Sequence, residues 1–120
     1  MSTILIVDDS LMDREILGTY LKQSGLTVLN AENATEAMDK IHRNQTSLVV
    51  LDIIMDGKSG FEVCRQLKAN AETKSIPVLL CSSKSTAADK LWGEAVGADG
   101  YIAKPVDQQE FMNKVWQLLR

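Results

Sequence analysis

The chain has 120 residues, of which 45% are hydrophobic and 24% charged, with 7 Gly and 2 Pro. This size and composition are typical of one globular domain and exclude a collagen-like or disordered chain, so we expect a single domain over residues 1–120 without a separate output or DNA-binding domain. Because 13 Lys and Arg oppose 16 Asp and Glu, giving a net charge of −3, we do not expect a sequence-independent interaction with nucleic acid or with an anionic membrane.

The cysteines and the apolar runs bear on the cellular compartment. Cys64 and Cys81 do not form a C-x-x-C motif, and two thiols are too few for a disulfide framework or a zinc site. We interpret them as buried residues in a reducing compartment. The longest apolar runs, such as Ile4–Val7, are too short to cross a bilayer, and Met1–Thr3 lacks the basic start of a secretory signal. The sequence therefore predicts a cytoplasmic protein.

Short apolar runs alternate with segments of helical periodicity along the chain. Five runs rich in β-branched residues predict strands at Ile4–Val7, Thr27–Leu29, Leu48–Leu51, Val78–Cys81 and Tyr101–Ala103. Helical spacing is clearest at Ala34, Ala37, Met38 and Ile41, and again at Phe111, Val115, Leu118 and Leu119. This order predicts an α/β fold, with a doubly wound, five-stranded parallel sheet and five helices.

Capping residues stand where these helices should begin and end. Ser10 and Asp13 form a candidate capping box at the start of the first helix, and Gly25 is placed to end that helix. The candidate N-caps of three later helices are Asn33, Thr86 and Asp107.

Polar residues follow four of the five predicted strands. They are Asp8 and Asp9 after the first strand, Asp52 after the third, Ser82 after the fourth and Lys104 after the fifth. Because doubly wound sheets bind ligands at the carboxyl ends of their strands, these side chains should meet at one edge. Carboxylates about 4 Å apart repel by roughly 4 kcal/mol at an effective dielectric near 20, so three of them must take up protons or hold a cation. Mg²⁺ suits such a site, because it prefers oxygen ligands and is often bound by one or two carboxylates plus a phosphoryl group.

Each of these residues also has a purely structural interpretation. Asp8 and Asp9 could cap the first helix, and Asp52 could open a turn. Ser82 could be an N-cap or a solvated turn residue, and Lys104 could be an ordinary surface lysine. Their joint occurrence at the ends of four strands favours a shared site.

Five short motifs surround the predicted strand ends: Asp8-Asp9, Asp52 within Leu-Asp-Ile-Ile-Met, Gly60-Phe61-Glu62, Ser82, and Tyr101-Ile102-Ala103-Lys104-Pro105. In this combination the chain resembles the receiver domain of bacterial two-component response regulators, from Ile4 to the last helix. The resemblance implies a flavodoxin-like sheet with the strand order 2-1-3-4-5.

The resemblance also implies a phosphoacceptor chemistry. Asp52 would accept a phosphoryl group from a sensor histidine kinase, a phosphotransfer protein or a small acyl phosphate. Mg²⁺, or Mn²⁺ in its place, would be bound directly by Asp9 and Asp52, mainly through water by Asp8, and by the backbone carbonyl of Ile54. The domain would assist its own phosphorylation and dephosphorylation and would not be an enzyme acting on other substrates.

A conformational switch is implied in the same way. Lys104, aimed by a cis Lys104-Pro105 peptide, would pair with Asp52 at rest and with a phosphoryl oxygen afterwards. Ser82 would then move to bond the phosphoryl group, and Tyr101 would turn into the vacated space. This would remodel the face formed by the fourth helix, the fifth strand and the fifth helix, which would act on a separate downstream protein. The chain would be a monomer or a phosphorylation-dependent dimer.

Three residues near the expected phosphoryl site depart from the family pattern or flank the site. Asp56, followed by Gly57, stands where many receivers have proline. It would be either a solvated turn residue or an added carboxylate that changes metal affinity. Ile54 and Lys84 occupy positions that could modulate how water reaches the phosphoryl group.

The tryptophans have two interpretations. We expect Trp92 on the fourth helix to pack at the edge of the core; if it is exposed instead, its large surface would suit a partner anchor. Met112 and Trp116 on the fifth helix are expected in the core. His42 is expected on the surface, far from the strand ends.

Other functions on a similar fold remain as alternatives. A phosphohydrolase of the haloacid dehalogenase kind needs a second aspartate where this chain has Ile54. A flavodoxin-like cofactor binder needs a glycine- and hydroxyl-rich phosphate loop, whereas Asp8 and Asp9 would repel the phosphate of the cofactor unless a metal intervened. A degenerate receiver that signals without phosphate is disfavoured because all the expected polar groups are present.

The pathway is suggested only by weaker motifs. Ser83-Lys84, Trp92-Gly93 and Gly97-Ala98 are similar to those of single-domain regulators in chemotaxis-like and pilus-motility pathways.

Overall fold

Strands and helices alternate through residues 2–119, the part of the chain that the computed structural model describes. The strands are β1 (Thr3–Val7), β2 (Thr27–Ala31), β3 (Leu48–Leu51), β4 (Val78–Ser82) and β5 (Gly100–Ala103). The helices are α1 (Leu11–Gln23), α2 (Ala34–Arg43), α3 (Gly60–Ala69), α4 (Ala87–Ala95) and α5 (Gln108–Leu118). All the predicted elements are confirmed, with strand ends that differ from the prediction by at most two residues. None of the helices within residues 2–119 is long and apolar enough to cross a membrane.

The five strands form one parallel sheet in the order β2-β1-β3-β4-β5, which confirms the expected topology. The order reverses at β1, where the chain passes from one side of the sheet to the other. In the register of β1 with β3, Val7 lies beside Leu51. Asp8 and Asp52 are the next residues along each strand, so the register alone places them side by side at one edge. The N–H of Asp52 completes this alignment by donating to the carbonyl of Val7 at 2.9 Å.

The central strands are buried on both faces because helices cover both sides of the sheet. Alternate residues of β1 point to opposite sides, so Leu5 packs in one apolar cluster with Leu67 while Ile6 packs in another with Phe111. Each such side chain stabilises the fold by about 1.5–3 kcal/mol relative to an exposed one. This explains why the central strands read as unbroken apolar runs with no polar alternation.

The predicted N-caps are confirmed, but the predicted capping box of α1 is wrong. Ser10 Oγ accepts the N–H of Asp13 at 3.2 Å, as the motif requires. The N–H of Ser10, however, donates to Asp8 Oδ1 at 2.9 Å, and the carboxylate of Asp13 binds Lys104. A complete capping box occurs at the start of α4, between the N-cap Thr86 and Asp89, the third residue of the helix. The caps of the other helices are Asn33 at α2, Ser59 at α3 and Asp107 at α5.

The first helix ends as predicted. Ser24 is its C-cap, and Gly25 follows with φ +82°, a left-handed conformation that glycine adopts without steric cost.

The core interpretation is wrong for Trp116, which is 43% exposed. It is partly right for Trp92, which is 58% exposed but packs at the edge of the core, as predicted. Trp116 is one position after the buried Val115, and one residue turns a helix by about 100°, which carries its ring to the outer face. The ring of Trp92 packs edge-on against that of Phe61, with the ring centroids 6.2 Å apart, and most of the Trp92 side chain remains in solvent. Met112 is buried and His42 is exposed, as predicted.

The two cysteines are free and buried, as predicted. Burial raises the pKa of Cys64 to about 11 and that of Cys81 to about 12. Both are therefore neutral thiols at physiological pH and belong to the packing of the core.

Candidate functional site

Three carboxylates meet at the carboxyl ends of β1 and β3. Asp8, Asp9 and Asp52 each offer an oxygen atom, and these oxygens lie within 4.8 Å of one another. Asp8 and Asp52 are buried and Asp9 is exposed, so the cluster is open to solvent on one side. The three side chains line a cleft of about 440 Å³ together with Lys104. The predicted meeting of these residues at one edge is confirmed.

Lys104 inserts its ammonium group into this cluster. It follows β5, whose last residue pairs with Ser82 of β4, so it emerges at the same edge. Its Nζ lies 2.6 Å from Asp8 Oδ2, 2.9 Å from Asp13 Oδ2 and 3.4 Å from Asp52 Oδ2. The expected pairing with Asp52 is present, but the shortest contact is with Asp8. The peptide between Lys104 and Pro105 is cis, as predicted.

The carboxylates and the ammonium shift each other's protonation. Burial on its own would lower the pKa of Lys104, but hydrogen bonds to Asp8 and Asp13 raise it above its ordinary value. Burial raises the pKa of Asp8 despite the opposing hydrogen bonds from Lys104 and from the N–H of Ser10. Lys104 is therefore a fixed positive charge, whereas ionised Asp8 is only partly compensated. A hard divalent cation would supply the missing charge, and three carboxylates are suitable ligands for it.

Asp8 is held in place by its backbone. Its N–H donates to the carbonyl of Ala31 at 3.0 Å, and its own carbonyl accepts a bond from Arg14 Nη1 at 2.5 Å. Arg14 is buried, and its Nη2 also lies 3.6 Å from Oε1 of Glu32. The guanidinium thus connects α1 to the loop that carries the acidic pair. Sequence reasoning missed Arg14, since nothing in the pattern distinguishes it from an ordinary helix arginine.

Asp52 is oriented by the chain that follows it. Its Oδ1 accepts the N–H groups of Ile53 at 2.7 Å and Ile54 at 3.3 Å, while Oδ2 faces Lys104. The loop is fixed in turn by the N–H of Gly60, which donates to the carbonyl of Ile53 at 2.9 Å. A Cβ at Gly60 would lie 2.0 Å from the carbonyl oxygen of Asp52. Only glycine fits there, which is the physical reason for the glycine of the Gly60-Phe61-Glu62 motif.

Asp13 is a further member of the site that the sequence analysis missed. The cap motif assigned its carboxylate to the helix terminus, whereas the structure pairs that carboxylate with Lys104. The sequence feature that could have indicated this role is the position of Asp13. It comes one helical turn after the acidic pair and lies on the same side of the helix as Ser10.

Ser82 and Tyr101 are linked through Lys84. The buried Ser82 accepts the N–H of Lys84 at its Oγ, at 3.2 Å, and the hydroxyl of Tyr101 donates to the carbonyl of Lys84. The ammonium of Lys84 is 2.7 Å from Asp89 on α4. Burial raises the pKa of Tyr101 to about 12, so its hydroxyl keeps its proton and acts as a donor at physiological pH. Lys84 therefore connects both predicted switch residues to the start of α4.

The ion pair of Asp89 makes stability depend on pH. The hydrogen bond from Lys84, followed by those from Thr86, lowers the pKa of Asp89 to about 2. Ionised Asp89 thus favours the folded state above its ordinary pKa of about 4, and this contribution is lost as the pH falls towards about 2. We expect Asp89→Asn to be less stable than the wild type at neutral pH, with a difference in unfolding free energy that becomes smaller as the pH falls. Urea unfolding at a series of pH values measures this difference.

Glu72→Gln, which changes an exposed loop carboxylate, is the control for the Asp89 prediction. If the unfolding free energies of Asp89→Asn and the wild type differed by the same amount from neutral pH to pH 2, the prediction would be wrong. The loss of stability would then not come from the ionised carboxylate.

The remaining predicted residues are more scattered. Ile54 is exposed next to Asp52. Asp56 is also exposed, but it lines a different pocket, with Asn33 and Lys58, and not the cleft that contains Asp52. This placement favours its interpretation as a solvated turn residue.

Comparisons with known proteins find one family along nearly the whole chain. The sequence profile described as the response regulator receiver domain matches residues 4–116. Protein PilH of Pseudomonas aeruginosa is 38% identical over 115 residues, which cover 96% of this chain and 95% of that one. The phosphate regulon transcriptional regulatory protein PhoB of the same organism is 37% identical over 118 residues, which cover 98% of this chain and 52% of PhoB. The chain therefore spans almost all of PilH and about half of PhoB.

Solved structures give the same result. The chemotaxis protein CheY4 of Vibrio cholerae superimposes with a TM-score of 0.93 at 27% identity, covering 99% of both chains. The response regulator TrrA of Thermotoga maritima, solved in complex with Mg²⁺ and BeF, gives a TM-score of 0.88 at 35% identity and covers 99% of this chain and 100% of TrrA.

Taken with these matches, the doubly wound sheet with an acidic cluster and a lysine at its strand ends belongs to a signalling domain of the two-component type. The chain belongs to the response regulator receiver domain family. Membership in this family decides against the phosphohydrolase and flavodoxin-like alternatives.

Proposed function

We propose that this chain is a stand-alone response regulator in which Asp52 accepts a phosphoryl group. The observation that carries the proposal is the environment of Asp52. Two backbone N–H groups bind one of its oxygens, and the other faces Lys104 within the acidic cluster. A carboxylate oriented in this way is a suitable nucleophile, because catalysis of phosphoryl transfer consists mainly of positioning and electrostatics.

The same cluster would hold Mg²⁺ or Mn²⁺. Asp9 and Asp52 would bind the cation directly, Asp8 mainly through water, and Ile54 through its backbone carbonyl. When bound, the metal neutralises charge on the phosphoryl oxygens during transfer. The residues present fit a hard cation, since the donor set consists of carboxylate oxygens and the buried Asp8 is only partly compensated. TrrA, a relative of known structure, is described as a complex with Mg²⁺.

The phosphoryl donor would be a phosphohistidine on a sensor kinase or phosphotransfer protein. A carboxylate oxygen of Asp52 forms the new P–O bond while the P–N bond of the donor breaks, and the electron pair returns to the imidazole nitrogen. Lys104 balances negative charge on the transferred group. In this way the domain assists its own phosphorylation. It would assist hydrolysis in the same way, when a water oxygen forms a bond to the phosphorus of the aspartyl phosphate, the P–O bond to Asp52 breaks, and inorganic phosphate leaves the free carboxylate.

The response would pass through Ser82 and Tyr101. The phosphoryl group offers strong acceptor oxygens, and movement of Ser82 towards them would break its bond to the N–H of Lys84. Because Tyr101 bonds to the carbonyl of Lys84, its side chain would move with that loop. The face of α4, β5 and α5 would then change shape and bind a separate target, with the exposed Trp92 as an anchor.

The signalling pathway of this chain is proposed from its relatives. PilH is spanned almost completely by this chain, and CheY4 is described as a chemotaxis protein, which supports a role in pilus-motility or chemotaxis signalling. We propose a cytoplasmic protein that binds neither nucleic acid nor membrane. It would be a monomer or a dimer that forms on phosphorylation.

Intact-protein mass spectrometry after incubation with acetyl phosphate and Mg²⁺ tests this function. We expect one phosphoryl adduct that requires the metal, is lost by hydrolysis and is absent in Asp52→Asn. Asp56→Asn, which changes an exposed carboxylate outside the cleft, should form the adduct like the wild type. Equal adducts in wild type and Asp52→Asn would contradict the proposed acceptor. If no adduct forms, a beryllofluoride complex distinguishes rapid hydrolysis, which permits the complex, from a site unable to accept phosphate.

A further inference from the structure

Asp13 occupies a position that the phosphoryl chemistry does not require. Its Oδ2 lies 2.9 Å from Lys104 Nζ, which is closer than Asp52 Oδ2 at 3.4 Å. The side chain extends from the first turn of α1, whose start is fixed by the bond from the N–H of Asp13 to Ser10. Its carboxylate therefore reaches Lys104 from α1, whereas that of Asp52 reaches it from the end of β3.

The hydrogen-bonding capacity of Lys104 is fully used in this arrangement. An ammonium has three N–H donors, and here three carboxylates surround it within 3.4 Å. A phosphoryl group on Asp52 would add strong acceptor oxygens close to the same ammonium. Lys104 would then have to weaken or release one of its present partners.

Asp13 is the partner that is released at least cost. Its side chain is 36% exposed, whereas that of Asp8 is 3% exposed. Water can hydrate a released Asp13 carboxylate, but a released Asp8 would be a buried charge without its counter-ion.

We propose that Asp13 is a positioning residue that holds Lys104 in its unphosphorylated position and competes with the phosphoryl group for it. The inference rests on the proposed function of Asp52. Because the contact exists only before phosphorylation, it stabilises the unphosphorylated arrangement selectively and shifts the equilibrium between the two states. Asp13 thereby sets how strongly an incoming phosphoryl group must bind before the switch responds.

The affinity for beryllofluoride, measured at a Mg²⁺ concentration that saturates each variant, tests the competition. Loss of one partly exposed ion pair from the unbound state should make Asp13→Asn bind about fivefold more tightly than the wild type. Asp13→Glu, which retains the charge, should bind close to the wild type. Glu15→Gln removes an equal charge from the same helix, where Glu15 lines a different cleft, and should change the affinity by less than about twofold.

The ammonium resonance of Lys104 in the NMR spectrum separates positioning from a general charge effect. In the unbound protein this resonance should differ between wild type and Asp13→Asn. In the beryllofluoride complex the two should coincide, because Lys104 has left Asp13. A charge effect acting at a distance would instead shift both states alike.

The outcomes are distinct. If the wild type binds beryllofluoride but Asp13→Asn binds no more tightly than Glu15→Gln, the role of Asp13 is overturned and the function of Asp52 stands. A Lys104 resonance that still differs between the two complexes would also overturn it. If the wild type binds no beryllofluoride, the proposed function fails, and the inference fails with it.

Discussion

Gly60→Ala is expected to destabilise the domain by about 3 kcal/mol and to remove most of the phosphoryl adduct on Asp52. The added Cβ would lie 2.0 Å from the carbonyl oxygen of Asp52 and 2.7 Å from the Cα of Ile53. Both contacts are with backbone atoms, so no side chain can rotate away to relieve them. The loop after β3 must move, and the bond from the N–H of Gly60 to the carbonyl of Ile53 is lost with it.

Urea unfolding and the acetyl phosphate assay measure the two effects of Gly60→Ala. Gly18→Ala in α1 is the matched control, because its Cβ would meet only Ile6 and Val28 side chains at 3.9 Å, an ordinary packing distance. Alanine also favours a helix by up to about 1 kcal/mol over glycine, so this variant should be as stable as the wild type or more stable. If both variants retained full stability and the adduct, the loop would not depend on the absence of a side chain at Gly60.

The fold and the acidic cluster could be predicted because both follow from local pattern and strand register. Unbroken apolar runs predict a sheet covered on both faces, and parallel strands end at the same edge. Val7 and Leu51 lie side by side, so the residues after them, Asp8 and Asp52, had to meet. This part of the site needs no knowledge of side-chain conformation.

The contacts that could not be predicted depend on competition between partners. Asp13 has a good local role as the second member of a capping box, yet its carboxylate binds Lys104, which is 91 residues away in the chain. The N–H of Ser10, which the box would have used, is taken by Asp8. Such a choice depends on the relative strength of tertiary contacts, and a cap motif carries only the local alternative.

The burial of the two tryptophans could not be predicted for a different reason. Helical periodicity places Trp116 beside Val115, but one residue of rotation decides between the core and solvent. Trp92 is both packed and exposed, since one ring edge contacts Phe61 while the remainder faces water. Composition cannot distinguish these cases, because aromatic rings are often only partly buried.

Lys104→Met is expected to be less stable than the wild type by about 3 kcal/mol when no divalent metal is present. The side chain of Lys104 is 14% exposed, and its ammonium lies within 3.4 Å of carboxylate oxygens of Asp8, Asp13 and Asp52. Methionine keeps much of the apolar stem but removes the charge, so the buried carboxylates lose their counter-ion and repel one another. The pKa of Asp8, already raised by burial, should rise further. The variant should therefore recover stability as the pH falls and the carboxylates take up protons.

Mg²⁺ should reverse most of this loss. The cation would bind to the same carboxylate cluster that Lys104 now neutralises, so its binding should stabilise Lys104→Met more than it stabilises the wild type. Urea unfolding with EDTA and with saturating Mg²⁺ measures both differences. Lys84→Met is the control, because it removes a lysine ion pair at the same edge of the sheet that lies outside the carboxylate cluster. If Lys104→Met and Lys84→Met lost similar stability and responded equally to Mg²⁺, the acidic cluster would not depend on Lys104 for its charge balance, and its carboxylates would have to be compensated by solvent alone.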